Sequence, residues 1–259
     1  MSRRWTNETA NPGSREAHHY RDERLTSARM SPVSSREQYL ISLAAGKRVL
    51  DVGVVDHFPV ESSKDSSNWL HKDVAAAASY ILGIDILPEA VASLKAHGYN
   101  VRIWDSTVGP IDDTFDVIIV GEVIEHLGNP QGLFRSASKM LSPNGRLVIT
   151  SPNPHYLATV RTAWRGQFRD NVDHVTYLFP SGIAELAERE GMVLTKYRGV
   201  RLPELNGRFR LLKKVARDLL TSTAVSQDAA CHSVIYECML STDEDSRHRR
   251  LAGSQLVDG

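Results

Sequence analysis

Cysteine is nearly missing: of 259 residues only Cys231 and Cys238 are cysteines, and they sit in an apolar run rather than at a metal-ligand spacing such as C-x-x-C. Both are read as packing residues. Long apolar stretches are missing too. The opening MSRRWTNETANPGSREAHHYRDER has no apolar h-region, and no uninterrupted apolar run is long enough to span a bilayer, so the chain is expected to be cytoplasmic. An excess of either charge is also absent, with 31 Lys+Arg against 31 Asp+Glu. This balance does not suggest a large nonspecific grip on nucleic acid or anionic membrane, and it argues for a small or neutral substrate. No repeat at a solenoid period is present.

What is there is one sizeable α/β core. The length allows a single domain with trimmings, and 41% hydrophobic with 24% charged residues fits a globular chain. Residues 1–33 are rich in Arg, Ser, Glu and Asn with few large apolar groups, and are expected to be a mobile leader. A helix over Ser35–Ala45 stops at Gly46. From Lys47 short apolar runs alternate with amphipathic helical patterns, the signature of βαβ units in a sheet covered on both faces. Strands are read at 48–52, 80–85, 100–104, 115–120, 145–150, 192–199 and 233–240, with helices near 68–78, 88–97, 130–141 and 181–190. The domain therefore runs over 34–240, with a basic, helical insertion at 201–230 and a charged tail at 241–259 that is expected to fray.

In an open α/β sheet, ligands sit outside the carboxyl ends of the strands, so the residues that close each strand carry the argument. The first four strands close on Val49-Leu50-Asp51-Val52-Gly53, Gly83-Ile84-Asp85-Ile86, Ile103-Trp104-Asp105-Ser106 and Val120-Gly121-Glu122. A carboxylate at each end suits a ligand that carries a cation, two ribose hydroxyls and an exocyclic amine. S-Adenosylmethionine has all three. Helix capping and turn chemistry are the other reading of these acids.

Over residues 47–200, and most clearly in VLDVG, GIDILPEAV, FDVIIVGEVIEHL and LSPNGRLVITSPN, the chain resembles the class I S-adenosylmethionine-dependent methyltransferases. The resemblance implies a Rossmann-like, doubly wound seven-stranded sheet, mostly parallel with an antiparallel last strand. It implies that Gly53 lets the backbone approach the cofactor and that Asp51 lies beside its amino-acid end. Asp85, next to Ile86, would take the ribose hydroxyls, Asp105 with Ser106 would contact the adenine, and Glu122 would bound the site. The chain departs from D-x-G-x-G-x-G, keeping only the first glycine in Asp51-Val52-Gly53-Val54-Val55-Asp56-His57. A dinucleotide dehydrogenase fails at the same loop, because pyrophosphate would lose its backbone cradle.

After the fourth strand comes Glu122-Val123-Ile124-Glu125-His126. If a helical turn begins there, Glu122, Glu125 and His126 share a face and can hold Mg²⁺ or another divalent ion. This E-x-x-E-H pattern resembles that of the ubiquinone-pathway O-methyltransferases and the small-RNA terminal 2′-O-methyltransferases, and in the latter a downstream histidine completes the site. His174 is the candidate here. A bound cation would lower the pKa of an alcohol, and histidine could take its proton. In the alternative, His126 hydrogen-bonds a backbone carbonyl and no ion is held. His57 and His71 are weaker candidates, and Ser151-Pro152-Asn153 shapes the pocket wall or simply forms a turn.

Acceptor specificity is expected from the added parts: the leader, residues 155–177 and the insertion. Tyr156, Trp164, Phe168 and Tyr177 among Arg161, Arg165 and Arg169 suit an aromatic, glycosyl or anionic acceptor, or form a solvated helix face. The basic run Arg208–Lys214 suits weak peripheral membrane contact, an anionic substrate or a solvated face. The expected activity is methylation of a hydroxyl on a small molecule or glycan. The alternatives are an RNA 2′-O-methyltransferase, disfavoured by the neutral charge, and an inactive cofactor-binding scaffold. The oligomeric state is not legible.

Overall fold

A computed structural model describes residues 13–55, 69–167, 171–201 and 227–242. The seven expected strands form one sheet: β1 (Arg48–Val52), β2 (Tyr80–Asp85), β3 (Val101–Ile103), β4 (Phe115–Gly121), β5 (Leu141–Pro152), β6 (Met192–Arg201) and β7 (Cys231–Leu240). Their order is β3-β2-β1-β4-β5-β7-β6, with β7 antiparallel to both of its neighbours and the other pairings parallel. Helices α1 (Arg15–Ala28), α2 (Arg36–Ala44), α3 (Leu70–Ala77), α4 (Pro88–Ala96), α5 (Pro130–Met140), α6 (Leu157–Ala163) and α7 (Pro180–Arg189) surround it.

The central strands are apolar at almost every position because both faces are covered. In β4, Val117 and Ile119 pack with Leu40 and Ala44 of α2 and Val74 of α3, whereas Ile118 and Val120 pack with Leu133 and Phe134 of α5 and Ile183 of α7. Local chemistry sets the helix starts. Ser35 caps α2 by accepting from the Gln38 amide at 3.1 Å, and Asn129 caps α5 with Pro130 at its first position. Among the described residues, no helix is long and apolar enough to cross a membrane.

One segment differs from the expectation of a mobile leader. Residues 15–28 form α1, capped by Ser14, and Arg21 and Arg24 pair with Glu185 and Glu188 of α7 at 2.8 and 2.9 Å. Ala28 is buried, and Arg29 and Val33 bridge to β6. Composition undercounted this helix because much of its attachment is ionic and backbone pairing rather than apolar area. Most of the expected 201–230 insertion, including Arg208–Lys214, and nearly all of the 241–259 tail lie outside the described residues. Cys231 and Cys238 are buried free thiols.

Candidate functional site

Strand order reverses between β1 and β4, so the chains leaving their carboxyl ends diverge and open a crevice. A cavity of about 930 Å³ occupies it and is lined by Asp51, Gly53, Asp85, Ile86, Asp105, Ser106 and Glu122, the whole set expected at the strand ends. The two carboxylates of β1 and β2 are built in differently. Asp85 accepts the Val55 amide at 3.0 Å and the Leu87 amide at 3.1 Å, one on each oxygen, which fixes its plane. Each of its oxygens retains a lone pair for a ribose hydroxyl. Asp51 is buried, with Oδ2 2.8 Å from Nδ1 of His71.

Gly53 is required where it stands. Its φ is 78°, and an added Cβ would collide with the Val123 side chain. Beyond it the missing glycines are replaced by an apolar clamp. Val54 packs with Trp69, Val91, Leu94 and Val101, and the Trp69 indole donates to the Val54 carbonyl at 3.0 Å. Asp105 accepts the amide and hydroxyl of Thr107, closing the turn after β3, and Trp104 adds an aromatic wall.

The turn after β4 is not the α-helical one expected. Glu122 takes a left-handed φ of 54°, and only Ile124–His126 form a 3-10 turn. The Glu122 amide donates to the Thr150 carbonyl and hydroxyl, and its carboxylate meets the Ser233 hydroxyl at 3.0 Å and the Arg36 guanidinium at 3.2 Å. Such a backbone costs about 1–3 kcal/mol and survives because the surroundings over-determine it.

Glu125 is 2% exposed, and its Oε2 has no hydrogen-bond partner. Burial, with the neighbouring Glu122 charge adding to it, pushes its carboxyl up to about 8. The Glu125 carbonyl accepts the amides of Val175 and Thr176 at 2.9 and 3.0 Å, which ties the 171–176 strap to the turn. That tie brings His174 to His126, with ring centroids 4.8 Å apart. His126 Nδ1 lies 3.2 Å from Asp173, and His174 Nδ1 lies 3.1 Å from the Tyr177 hydroxyl. One ligating atom from each of Glu125, His126 and His174 falls within 4.8 Å of the others. Glu122 stands outside this trio, engaged by Arg36 and Ser233.

A second cavity, about 570 Å³, is lined by Leu25, His155, Val160, Phe179, Tyr197 and Val234, among others. Asn153 shapes its wall and also forms the turn, donating to the carbonyls of Asp228 and Cys231. Arg161, Trp164 and Arg165 are exposed; Phe168 and Arg169, like His57, lie outside the described residues. The strand-end rule missed Arg36 and Asp173, which line the main cavity from a helix start and a strap.

A family model described as a methyltransferase domain matches residues 18–197. Similar proteins include the ubiquinone biosynthesis O-methyltransferase of Aeromonas salmonicida, 22% identical over 184 residues, covering 66% of this chain and 73% of that one. The protein of the same name from Coxiella burnetii is 23% identical over 188 residues, covering 68% and 76%. Among solved structures, a SAM dependent methyltransferase from Archaeoglobus fulgidus shares the fold at a TM-score of 0.51 and 16% identity, covering 79% of this chain and 90% of that one.

Proposed function

This chain belongs to the class I S-adenosylmethionine-dependent methyltransferases, and from that premise we propose that it methylates a hydroxyl of a small-molecule or glycan acceptor, assisted by a divalent cation at Glu125, His126 and His174. The observation that carries the reading is the convergence of these three side chains, of which His126 lines the cofactor cavity, although His174 is 48 positions from His126 in the chain.

The residues fit both groups. For S-adenosylmethionine, Asp51 would meet the amino-acid end, Asp85 the ribose and Asp105 with Ser106 the adenine, all four lining one cavity, and Gly53 would allow close backbone approach. Arg36 adds a cation suited to the methionine carboxylate. For a cation, Oε2 of Glu125 is buried without a hydrogen-bond partner and would ligate on losing the carboxyl proton, and one carboxylate with two imidazoles suits Mn²⁺, Fe²⁺ or Zn²⁺ better than Mg²⁺. A cation bound there would supply Lewis acidity, lowering the pKa of the acceptor hydroxyl.

The protein's own part is positioning and proton removal. Asp173 orients the His126 imidazole through Nδ1 and, lining the same cavity, would take the hydroxyl proton as the oxygen attacks the methyl group, since an imidazole that holds a cation has no nitrogen left to accept it. Tyr177 sets the ring of His174 in the same way. The strap and the residues that follow it run from this chemistry to the second cavity: Asp173 lines the cofactor site and Phe179 lines the other. The aromatic walls of Phe179 and Tyr197 suit the body of a planar or apolar acceptor there.

Incubation with S-adenosylmethionine and a panel of phenols, catechols and glycosides, with Mn²⁺, with Mg²⁺ and with chelator, tests the proposal. Mass spectrometry should show methyl transfer to oxygen that falls at least about tenfold in chelator. Equal turnover in chelator removes the cation from the reading, and methylation at nitrogen or carbon alone overturns the hydroxyl acceptor.

A further inference from the structure

His71 has no place in the chemistry above, yet it is among the most buried polar side chains of the chain, at 1% exposure. It sits in the first turn of α3, with its ring 5.2 Å from the Trp69 ring and 6.0 Å from the Tyr99 ring. Its seat is made by a missing side chain. Gly83 of β2 stands in register with Asp51 of β1, and a Cβ on Gly83 would come within 2.9 Å of Cε1 of His71. Two adjacent strands thus offer the imidazole a carboxylate and a vacant position side by side.

We propose that His71 is the positioning residue for the amino-acid end of the cofactor, holding the Asp51 carboxylate where the methionine ammonium of S-adenosylmethionine meets it. The inference rests on the reading that Asp51 faces that end of the cofactor. His71 Nδ1 lies 2.8 Å from Asp51 Oδ2 and donates to it, since a carboxylate oxygen only accepts, while Nε2 is buried without a partner. One carboxylate oxygen is thereby pinned and the other left for the ammonium. In this chain the task falls to a side chain because two of the three loop glycines are gone: valine and histidine stand at 55 and 57, so the loop's glycine cradle for the methionine part is depleted. Trp69, two residues before His71, clamps the same loop through the Val54 carbonyl, so one short segment orders both the carboxylate and the backbone beside it.

Calorimetry of the full chain with two ligands separates positioning from folding. S-Adenosylhomocysteine carries the amino-acid end, whereas 5′-methylthioadenosine keeps the adenosine and thioether and lacks it. His71→Phe, which preserves the ring volume, should weaken S-adenosylhomocysteine about tenfold and leave 5′-methylthioadenosine within about twofold. His71→Asn, whose amide nitrogen stands near the place of Nδ1, should stay within about threefold of wild type, while His71→Gln, whose nitrogen falls near Nε2, should match the Phe variant. An equal loss for both ligands, or equal affinities for the Asn and Gln variants, overturns the proposal. Tight wild-type binding of 5′-methylthioadenosine with none of S-adenosylhomocysteine instead overturns the reading of Asp51 on which it rests.

Discussion

The two halves of the site are built on opposite terms. At the ends of β1 and β2, each carboxylate is anchored yet keeps an acceptor free: Asp85 holds two backbone amides, and Asp51 holds His71 through one oxygen. At the end of β4, the backbone is strained at Glu122, and Glu125 keeps a buried oxygen with no partner. A region that binds one constant cofactor gains from being satisfied in advance, since preorganised groups lose little on binding. A region that moves protons gains from groups held out of their ordinary state, which is where perturbed carboxyls concentrate. Under the proposed function, the contrast separates a binding half from a reacting half beside it.

The largest expected effect tests the reacting half. His126→Ala should lower kcat by about a thousandfold while affinity for S-adenosylhomocysteine stays within about twofold, read by steady-state kinetics and calorimetry. Loss of affinity on the same scale as loss of rate would erase the division. Asp85→Ala is the mirror experiment in the binding half. It should weaken S-adenosylhomocysteine by about a hundredfold, because the hydroxyl acceptors go and the Val55 and Leu87 amides lose their anchor. Gly53→Ala is expected to cost about 1–2 kcal/mol of stability and about tenfold in cofactor affinity, since its φ of 78° and the Val123 side chain both oppose a Cβ.

The smallest effect is one of pH. Folded Glu125 keeps its proton up to about 8, whereas the unfolded chain releases it near the ordinary 4.5. Its folded pKa is raised, so its contribution to stability is greatest at low pH, falls as pH rises through that window, and is flat above it. Glu125→Gln removes the slope. In cation-free protein the variant should melt close to wild type at about pH 5 and about 5 °C higher at about pH 8, measured by thermal unfolding. A constant difference across the range would show that Glu125 is not held protonated.

Much of the sheet was legible because covered parallel strands must be apolar throughout, and the helix boundaries followed capping residues such as Ser35 and Asn129. The cavity-lining acids Asp51, Asp85, Asp105 and Glu122 were legible for a related reason: topology places strand ends at the crevice whatever the loops do. Helix α1 was not, because composition does not reveal that Arg21 and Arg24 will find Glu185 and Glu188 some 160 positions away. The shape of the 122–126 turn was not legible either, since residue spacing fits an α-turn and a 3-10 turn about equally well.

The sequence by itself determined the fold class, the strand ends and the family, because these depend on local periodicity and on short motifs. Tertiary structure decided which side chains work together. Only the pairing of the Glu125 carbonyl with the Val175 and Thr176 amides brings His174 to His126, only helix α2 delivers Arg36 to Glu122, and only the register of Gly83 with Asp51 seats His71. Each of these joins residues far apart in the chain, and contacts of that kind are set by packing and register rather than by local preference.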